Sequence, residues 1–187
     1  MRRLAVFASG NGANFEAIVE GCRSGVIGNA EVVLCVCDKP EAYVVERAER
    51  LGVGKLVFTP KDYASKSDYE KEIADVMDSL GIDLVCLAGY MRIVGEELLG
   101  RYGGRIINIH PSLLPAFPGV GAIRAAFEYG VKVYGVTIHE VDSSLDGGKI
   151  LSQVAIPYEG ADFEELKTEI HKAEHKLYTE TINKILA

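Results

Sequence analysis

Residues 4–15 read LAVFASGNGANF, and this stretch decides the fold class. The apolar run Leu4–Ala8 is typical of a short strand buried in a parallel sheet. A glycine-rich loop follows it, and Phe15 then opens a helical apolar spacing that continues with Ile18 and Val19. Strand, glycine loop and helix in this order predict the first unit of an α/β fold.

Further apolar runs alternate with amphipathic stretches through the first two thirds of the chain, as successive β-α units do. After Pro118 the pattern changes to a short helix, two β-rich runs around an Asp-Gly-Gly turn, and a long helix from about Asp162. We therefore predict one domain, residues 1–187, with a three-layer, Rossmann-like α/β fold: a mostly parallel sheet flanked by helices, with an antiparallel extension near the C-terminal part. The predicted strands are Leu4–Ala8, Glu31–Cys37, Lys55–Phe58, Asp83–Leu87, Arg105–Ile109, Val133–Val141 and Ile150–Ile156.

Two helices carry capping signals at their starts. Ser67 with Glu70 indicates a capping box, and Asp162 with Glu165 is placed to cap the last helix. The apolar face predicted for that last helix consists of Phe163, Leu166, Ile170, Leu177, Ile182 and Ile185.

The composition fits a compact protein with a substantial core: 187 residues, 48% hydrophobic, with a formal charge of −7. No Lys or Arg run forms a basic stripe and no apolar run approaches membrane-spanning length, so we expect small-molecule partners and neither nucleic acid nor membrane. Cys22, Cys35, Cys37 and Cys86 are interpreted as structural thiols in a reducing cytoplasm, without a metal. The sequence leaves open whether the protein is a monomer or a homodimer.

The loop Gly10-Asn11-Gly12-Ala13-Asn14 is the first candidate site. Its backbone N–H groups should converge at a helix N-terminus, which favours phosphate binding. Phe15 stands where a dinucleotide fingerprint has its third glycine, so a mononucleotide phosphate is favoured over NAD. Asp38, at the end of the second strand, keeps the NAD alternative open, and so does the simpler interpretation of a turn that binds nothing.

Asn108, His110 and Asp146 form the second candidate site. Pro111 favours extended geometry at His110, so Asn108 and His110 should point the same way at the carboxyl edge of the sheet. A neutral His transfers protons near pH 7 and an Asn amide donates to a developing oxyanion, which suits attack of an amine on a carbonyl. Asp146 could support His110 as a carboxylate or serve only as a hairpin turn. Spacing alone does not join it to His110.

Five separated motifs stand in order along nearly the whole chain. They are Ala8-Ser9-Gly10-Asn11-Gly12, Ala88-Gly89-Tyr90-Met91-Arg92-Ile93, Asn108-Ile109-His110-Pro111-Ser112-Leu113-Leu114-Pro115, Gly135-Val136-Thr137-Ile138-His139 and Leu145-Asp146-Gly147-Gly148. Together they resemble the motifs of the folate-dependent formyltransferases, and among them the glycinamide ribonucleotide transformylases, or phosphoribosylglycinamide formyltransferases. The resemblance implies an enzyme of purine biosynthesis that passes a formyl group from the co-substrate 10-formyltetrahydrofolate to the amine of glycinamide ribonucleotide, without a metal.

The resemblance also implies roles for individual residues. Asn108, His110 and Asp146 match the catalytic trio, and Gly10 through Asn14 match the phosphate loop in a nucleotide-phosphate half of about residues 1–100. A catalytic and folate half of about residues 85–187 follows. Glu174 matches a ribonucleotide contact, although its helix position alone indicates a solvated charge. The residues that match the folate pocket are Met91, Arg92, Ile93, Val94, Val141, Asp142 and Asp146.

This chain departs from the family pattern at four positions, which bear on substrate contacts more than on the catalytic trio. Ala13 replaces a frequent Ser or Thr, Gly121 and Ala125 replace a frequent His or Asp and a Gln, and His171 replaces a Gln.

Three alternatives stay open. A formyltetrahydrofolate hydrolase would deliver the formyl group to water, although such enzymes usually carry an N-terminal regulatory domain and this chain begins with the nucleotide-type strand. A methionyl-tRNA formyltransferase would need a tRNA-binding extension and a basic surface. A nucleotide-binding module without catalytic activity is the third.

Overall fold

The computed structural model describes all 187 residues, Met1–Ala187, as a seven-stranded sheet with six α-helices and one short 3₁₀ turn, Pro60–Asp62. The strands are β1 Arg2–Phe7, β2 Ala30–Cys37, β3 Gly54–Val57, β4 Leu84–Leu87, β5 Ile106–His110, β6 Val133–Glu140 and β7 Ile150–Pro157. The helices are α1 Ala13–Ser24, α2 Tyr43–Arg50, α3 Lys66–Leu80, α4 Glu96–Tyr102, α5 Ala122–Tyr129 and α6 Phe163–Leu186.

The strand order is β3-β2-β1-β4-β5-β6-β7. Strands β1 to β5 pair in parallel, whereas β6 and β7 pair antiparallel to their neighbours. The predicted α/β sheet with its antiparallel extension is therefore confirmed, and each predicted strand is present with small shifts at its ends.

Helices cover both faces of the sheet, which explains why the parallel strands are mostly apolar and do not alternate with polar residues. Along β1, Leu4 and Val6 are buried in one core with residues of α1, α2 and α6. Ala5 and Phe7 belong to the opposite core with residues of α3 and α4. The sheet thus forms the middle of three layers.

Helix α6 is fixed to the centre of the sheet by a polar contact. The hydroxyl of Tyr178, a fully buried residue, donates to the carbonyl oxygens of Leu87 at 2.8 Å and Ile107 at 3.3 Å. Asp162 caps the helix as predicted, accepting the N–H groups of Glu164 and Glu165. The reciprocal bond predicted for Glu165 is absent, because its carboxylate accepts the hydroxyl of Tyr158 and the N–H of Asp162 donates to that hydroxyl instead. The predicted apolar face is wrong at one end, because Ile185 is 42% exposed.

The predicted capping box at the start of α3 is also wrong. The N-cap is Ser65, whose hydroxyl accepts the N–H of Asp68 at 3.2 Å. Glu70 is instead buried, where it accepts the N–H of Gly95 at 2.8 Å, and burial raises the pKa of its carboxyl. Ser67 donates to Glu97 on α4, so both residues of the proposed box hold α3 against the segment around α4.

The four cysteines are free thiols. Cys35 and Cys37 lie on one face of β2, as the strand alternation predicts, and Cys86 joins them in the same core. Burial raises the pKa of Cys35 to about 12 and that of Cys22 to about 11. Among the helices, none combines the length and the apolar character that crossing a membrane requires.

Candidate active site

A cavity of about 790 Å³ opens at the carboxyl ends of β1, β4 and β5. The strand order reverses between β1 and β4, and the crevice at such a point is where open α/β sheets bind ligands. No group of three or more His, Cys, Asp and Glu side chains is arranged to hold a metal ion. The cavity is lined by every site residue predicted from the sequence: Gly10, Asn11, Gly12, Ala13, Asn14, Met91, Arg92, Ile93, Val94, Asn108, His110, Val141, Asp142, Asp146 and Glu174.

The loop after β1 presents unused N–H groups to this cavity. Gly12 is the N-cap of α1 with φ of 79°, and no side chain caps the helix. The N–H groups of Gly12, Ala13 and Asn14 make no hydrogen bond within the protein. A Cβ at Gly12 would lie 2.5 Å from Val44 Cγ2, so both backbone conformation and packing require glycine. The loop has the donors and the helix dipole that an anion site needs.

Arg47 on α2 braces the outer side of this loop. Its Nε donates to the carbonyl oxygen of Asn11 at 2.7 Å, and its Nη2 donates to Asn11 Oδ1 at 2.8 Å. The guanidinium also pairs with Glu16 on α1. Arg47 therefore holds the loop against both helices that flank it.

Asp38 joins the loop after β1 to the loop after β4. Its Oδ1 accepts the hydroxyl of Ser9 at 2.5 Å, and its Oδ2 accepts Nε of Arg92 at 2.7 Å. The Ser9 hydroxyl in turn accepts the N–H of Met91 at 2.9 Å. Because both oxygens are engaged and the side chain is 1% exposed, Asp38 is not placed to bind the ribose of NAD, and that alternative is wrong.

His110 faces the cavity with a defined tautomer. Its Nε2 lies 2.8 Å from the carbonyl oxygen of Phe117, which can only accept, so Nε2 carries the proton in the neutral ring. Nδ1 is then the unprotonated nitrogen, 3.6 Å from Asp146 Oδ2. A proton arriving at Nδ1 would create an ion pair with this carboxylate.

The turn that carries Asp146 aims its carboxylate at His110. Asp146 has φ of 50°, a conformation that Asp tolerates better than most residues. Its Oδ2 accepts the N–H of Gly119 at 2.7 Å, and a Cβ at Gly148 would collide with the carbonyl oxygen of Glu140. The residue is thus both a turn residue and a neighbour of His110, so the two interpretations of the sequence are compatible.

His139 belongs to the site and was not among the predicted site residues. The pairing of β5 with β6 places it opposite Asn108. Its Nδ1 donates to the carbonyl oxygen of Glu140 at 2.8 Å, so its Nε2 accepts from Asn108 Nδ2 at 3.2 Å. The ring therefore fixes which end of the Asn108 amide is the donor. The only signal in the sequence was the position of His139 at the end of one family-like motif.

Part of the cavity lining consists of exposed apolar side chains. Met91 and Ile93 are each 60% exposed, Leu145 is 62% exposed and Val120 is 93% exposed. The N–H of Ser144 donates to Asp142 Oδ1 at 2.8 Å, and the contacts with Ser144 lower the pKa of that carboxyl. Exposed apolar side chains around a cavity are typical of a site that binds a partly apolar ligand.

Glu174 on α6 lines the same cavity as the loop Gly10–Asn14. Its side chain is 8% exposed and its Oε2 is 2.7 Å from His171 Nδ1, so the interpretation as a solvated helix charge is wrong. This hydrogen bond raises the pKa of His171. Nearby in the lining, Asn14 Oδ1 and His175 Nε2 are buried without a hydrogen-bond partner, and burial lowers the pKa of His175. This wall holds polar groups that the protein itself does not satisfy.

The chain is similar to known proteins over nearly its whole length. Residues 2–182 match the family described as formyl transferase. The chain is 49% identical over 187 residues to the phosphoribosylglycinamide formyltransferase of Bacillus subtilis, covering 100% of this chain and 95% of the relative. The crystal structure of glycinamide ribonucleotide transformylase 1 from Geobacillus kaustophilus is similar with a TM-score of 0.96, 49% identity and full coverage of both chains. The structure of phosphoribosylglycinamide formyltransferase from Bacillus halodurans has a TM-score of 0.95 at 49% identity, covering 100% of this chain and 96% of that one.

Proposed function

The chain belongs to the formyl transferase family, and we propose that it transfers a formyl group from 10-formyltetrahydrofolate to the amine of glycinamide ribonucleotide, a step of purine biosynthesis. One observation carries this proposal. The unprotonated Nδ1 of His110, 3.6 Å from Asp146, lies in the same cavity as a loop with free N–H groups. A proton acceptor and an anion site are therefore available to one ligand.

The two substrates approach from opposite ends of the cavity. The phosphate of the ribonucleotide binds at Gly10–Asn14, and Glu174 accepts a hydroxyl of its ribose. The folate binds against Met91–Val94 and Val141–Asp146, where Met91, Ile93 and Leu145 expose apolar side chains. This arrangement assigns ribonucleotide binding mainly to residues 1–100 and folate binding with catalysis mainly to residues 85–187 of a single domain.

The trio promotes transfer by moving one proton and stabilising one developing charge. Attack by the amine nitrogen forms a bond to the formyl carbon, and the carbonyl oxygen gains negative charge. The amide of Asn108, held by His139, donates its second N–H to that oxygen. The proton lost by the amine passes to His110 Nδ1, where Asp146 stabilises the cation. Cleavage of the bond between the formyl carbon and N10 then returns this proton to N10, and tetrahydrofolate leaves.

The alternatives differ in what accepts the formyl group. A hydrolase transfers the formyl group to water, so it does not need a phosphate site. This cavity is lined both by the loop with the free N–H groups of Gly12, Ala13 and Asn14 and by the buried carboxylate of Glu174. These groups favour a phosphorylated ribose as acceptor over water or a tRNA, and the paired His110 and Asp146 favour a catalyst over a nucleotide-binding module.

A steady-state assay of deformylated folate tests this proposal. Product should form quickly with glycinamide ribonucleotide and slowly without it. The His110→Ala variant should retain substrate binding and lose about 10²- to 10⁴-fold in turnover, the usual contribution of proton transfer. Equal rates with and without the acceptor would contradict transfer, and a folded variant with normal turnover would contradict the role of His110.

A further inference from the structure

The carboxylate of Glu174 should repel the phosphate of the proposed acceptor. This carboxylate is buried in the wall that also carries Gly10–Asn14. The acceptor brings a phosphate whose second ionisation falls near pH 6, so it binds largely as a dianion at neutral pH. A buried carboxylate close to that dianion would weaken binding, unless its own charge is balanced.

His171 is the group that can balance it. One turn earlier on α6, it is half exposed, and its Nδ1 lies 2.7 Å from Glu174 Oε2. The other oxygen, Oε1, makes no hydrogen bond within the protein and remains available to a ligand hydroxyl. The pair thus has one end facing solvent, where a proton can enter, and one end facing the cavity.

We propose that His171 is a positioning residue for the acceptor: its imidazolium holds and neutralises Glu174, so that this acid can bind a ribose hydroxyl beside a bound phosphate dianion. The inference rests on the proposed function. It concerns affinity for the ribonucleotide and leaves the chemical step to His110, Asn108 and Asp146.

The charged groups around His171 set the direction of the pH effect. Glu174 raises the pKa of His171, and Lys167 on the preceding turn opposes it. His175 lies on the next turn, where burial and the positive charge of Arg47 on α2 lower its pKa. Elsewhere the cavity is lined by the charged side chains Lys39, Arg92, Asp142 and Asp146. Because the pKa is raised above 6.5, the imidazolium is present below that value and is lost as the pH rises through the folded-state pKa.

The test compares KM for glycinamide ribonucleotide between His171→Gln and wild type from about pH 6 to pH 9 at constant ionic strength. Glutamine can still donate a hydrogen bond but never carries charge. Ionisation of the free substrate is the same for both enzymes and cancels in the ratio, which therefore reports the charges within the two complexes. We expect a ratio of about five at pH 6, the value of a part-exposed ion pair, that approaches one at pH 9. The kcat values should agree throughout.

Three further variants separate charge from structure. His171→Lys keeps a cation at every pH and should bind the acceptor more tightly than wild type at pH 9. In a Glu174→Gln background, His171→Gln should have no further effect. Lys172→Gln removes a neighbouring helix charge that pairs with Glu169 at the surface, and its KM ratio should stay near one.

A pH-independent KM ratio for folded His171→Gln, or an undiminished effect in the Glu174→Gln background, would overturn the inference. Failure of wild type to form any formylated ribonucleotide would contradict the proposed function instead. In that case, calorimetric Kd values for ribose 5-phosphate at the same pH values test His171 alone, with the same expected ratio and the same contradicting result.

Discussion

Replacement of His139 by alanine should lower kcat and leave both KM values nearly unchanged, because the ring acts by holding the amide of Asn108. The contact between Asn108 Nδ2 and His139 Nε2 is a neutral hydrogen bond of 3.2 Å. Its loss alone is worth about 0.5–1.5 kcal/mol. If the Asn108 amide no longer points at the developing oxyanion, the transition state loses the stabilisation of one oxyanion donor, about 2.7–4 kcal/mol. The expected fall in kcat therefore lies between about twofold, if only the hydrogen bond is lost, and about 10³-fold, if the amide no longer donates to the oxyanion.

A double-mutant cycle tests whether the ring works through the amide. The Asn108→Ala and His139→Ala double variant should be as slow as Asn108→Ala alone, within about 0.5 kcal/mol. His139→Gln should recover most of the rate, because its side-chain oxygen can accept the same N–H. Urea unfolding provides the control for stability, since His139 is 3% exposed. Additive losses would refute the reasoning and assign His139 an independent role, through Asp146 at 3.8 Å.

Four further variants test other residues of the cavity and of the loops that form it. Asp146→Asn should fold, because Asn also tolerates the observed φ of 50°. Its kcat should fall roughly tenfold or more, because the amide cannot stabilise a cationic His110, and an unchanged pH–rate profile would leave Asp146 a turn residue only. Gly12→Ala should lower the free energy of unfolding by about 1–2 kcal/mol, because of its φ of 79° and the contact of the new Cβ with Val44. Gly10→Ala should keep the wild-type melting temperature, because no atom lies within 4 Å of its new Cβ, and equal melting curves for the two variants would contradict this difference. Asp38→Asn should raise KM for both substrates, because Asp38 holds Ser9 and Arg92 in separate loops; a change in KM for only one substrate would show that the loops are not coupled.

The fold could be predicted from the sequence because local patterns and global packing agree. Apolar runs such as Leu4–Ala8 are typical of parallel strands that helices cover on both faces. The change of pattern after Pro118 indicates where the antiparallel strands begin. The start of α3 could not be predicted in the same way. Ser65 and Ser67 each stand three residues before an acidic residue, so the sequence offers two possible N-caps. Ser65 is the N-cap in the structure, and Glu70, the acid that follows Ser67, accepts the N–H of Gly95 instead.

The placement of candidate site residues at one cavity could be predicted where a motif lies at the end of a strand, as Asn108 and His110 do, or soon after it, as Gly10–Asn14 do. It could not be predicted where the chemistry depends on register or on contacts between distant elements. His139 meets Asn108 through the antiparallel pairing of β5 with β6, beside a register shift between β6 and β7 at Ile138 and His139. Glu174 is buried only because α6 packs along α1, which a helical pattern alone does not show.

The fate of a ¹³C-labelled formyl group is the most direct test of the central claim. The wild-type enzyme is incubated with 10-[¹³C]formyltetrahydrofolate, with and without glycinamide ribonucleotide, and the products are followed by NMR. With the acceptor present, the label should appear in the amide of formylglycinamide ribonucleotide in step with folate release. Without it, the label should remain on the folate. Label released mainly as formate in both reactions would contradict transfer to the amine and identify a hydrolase.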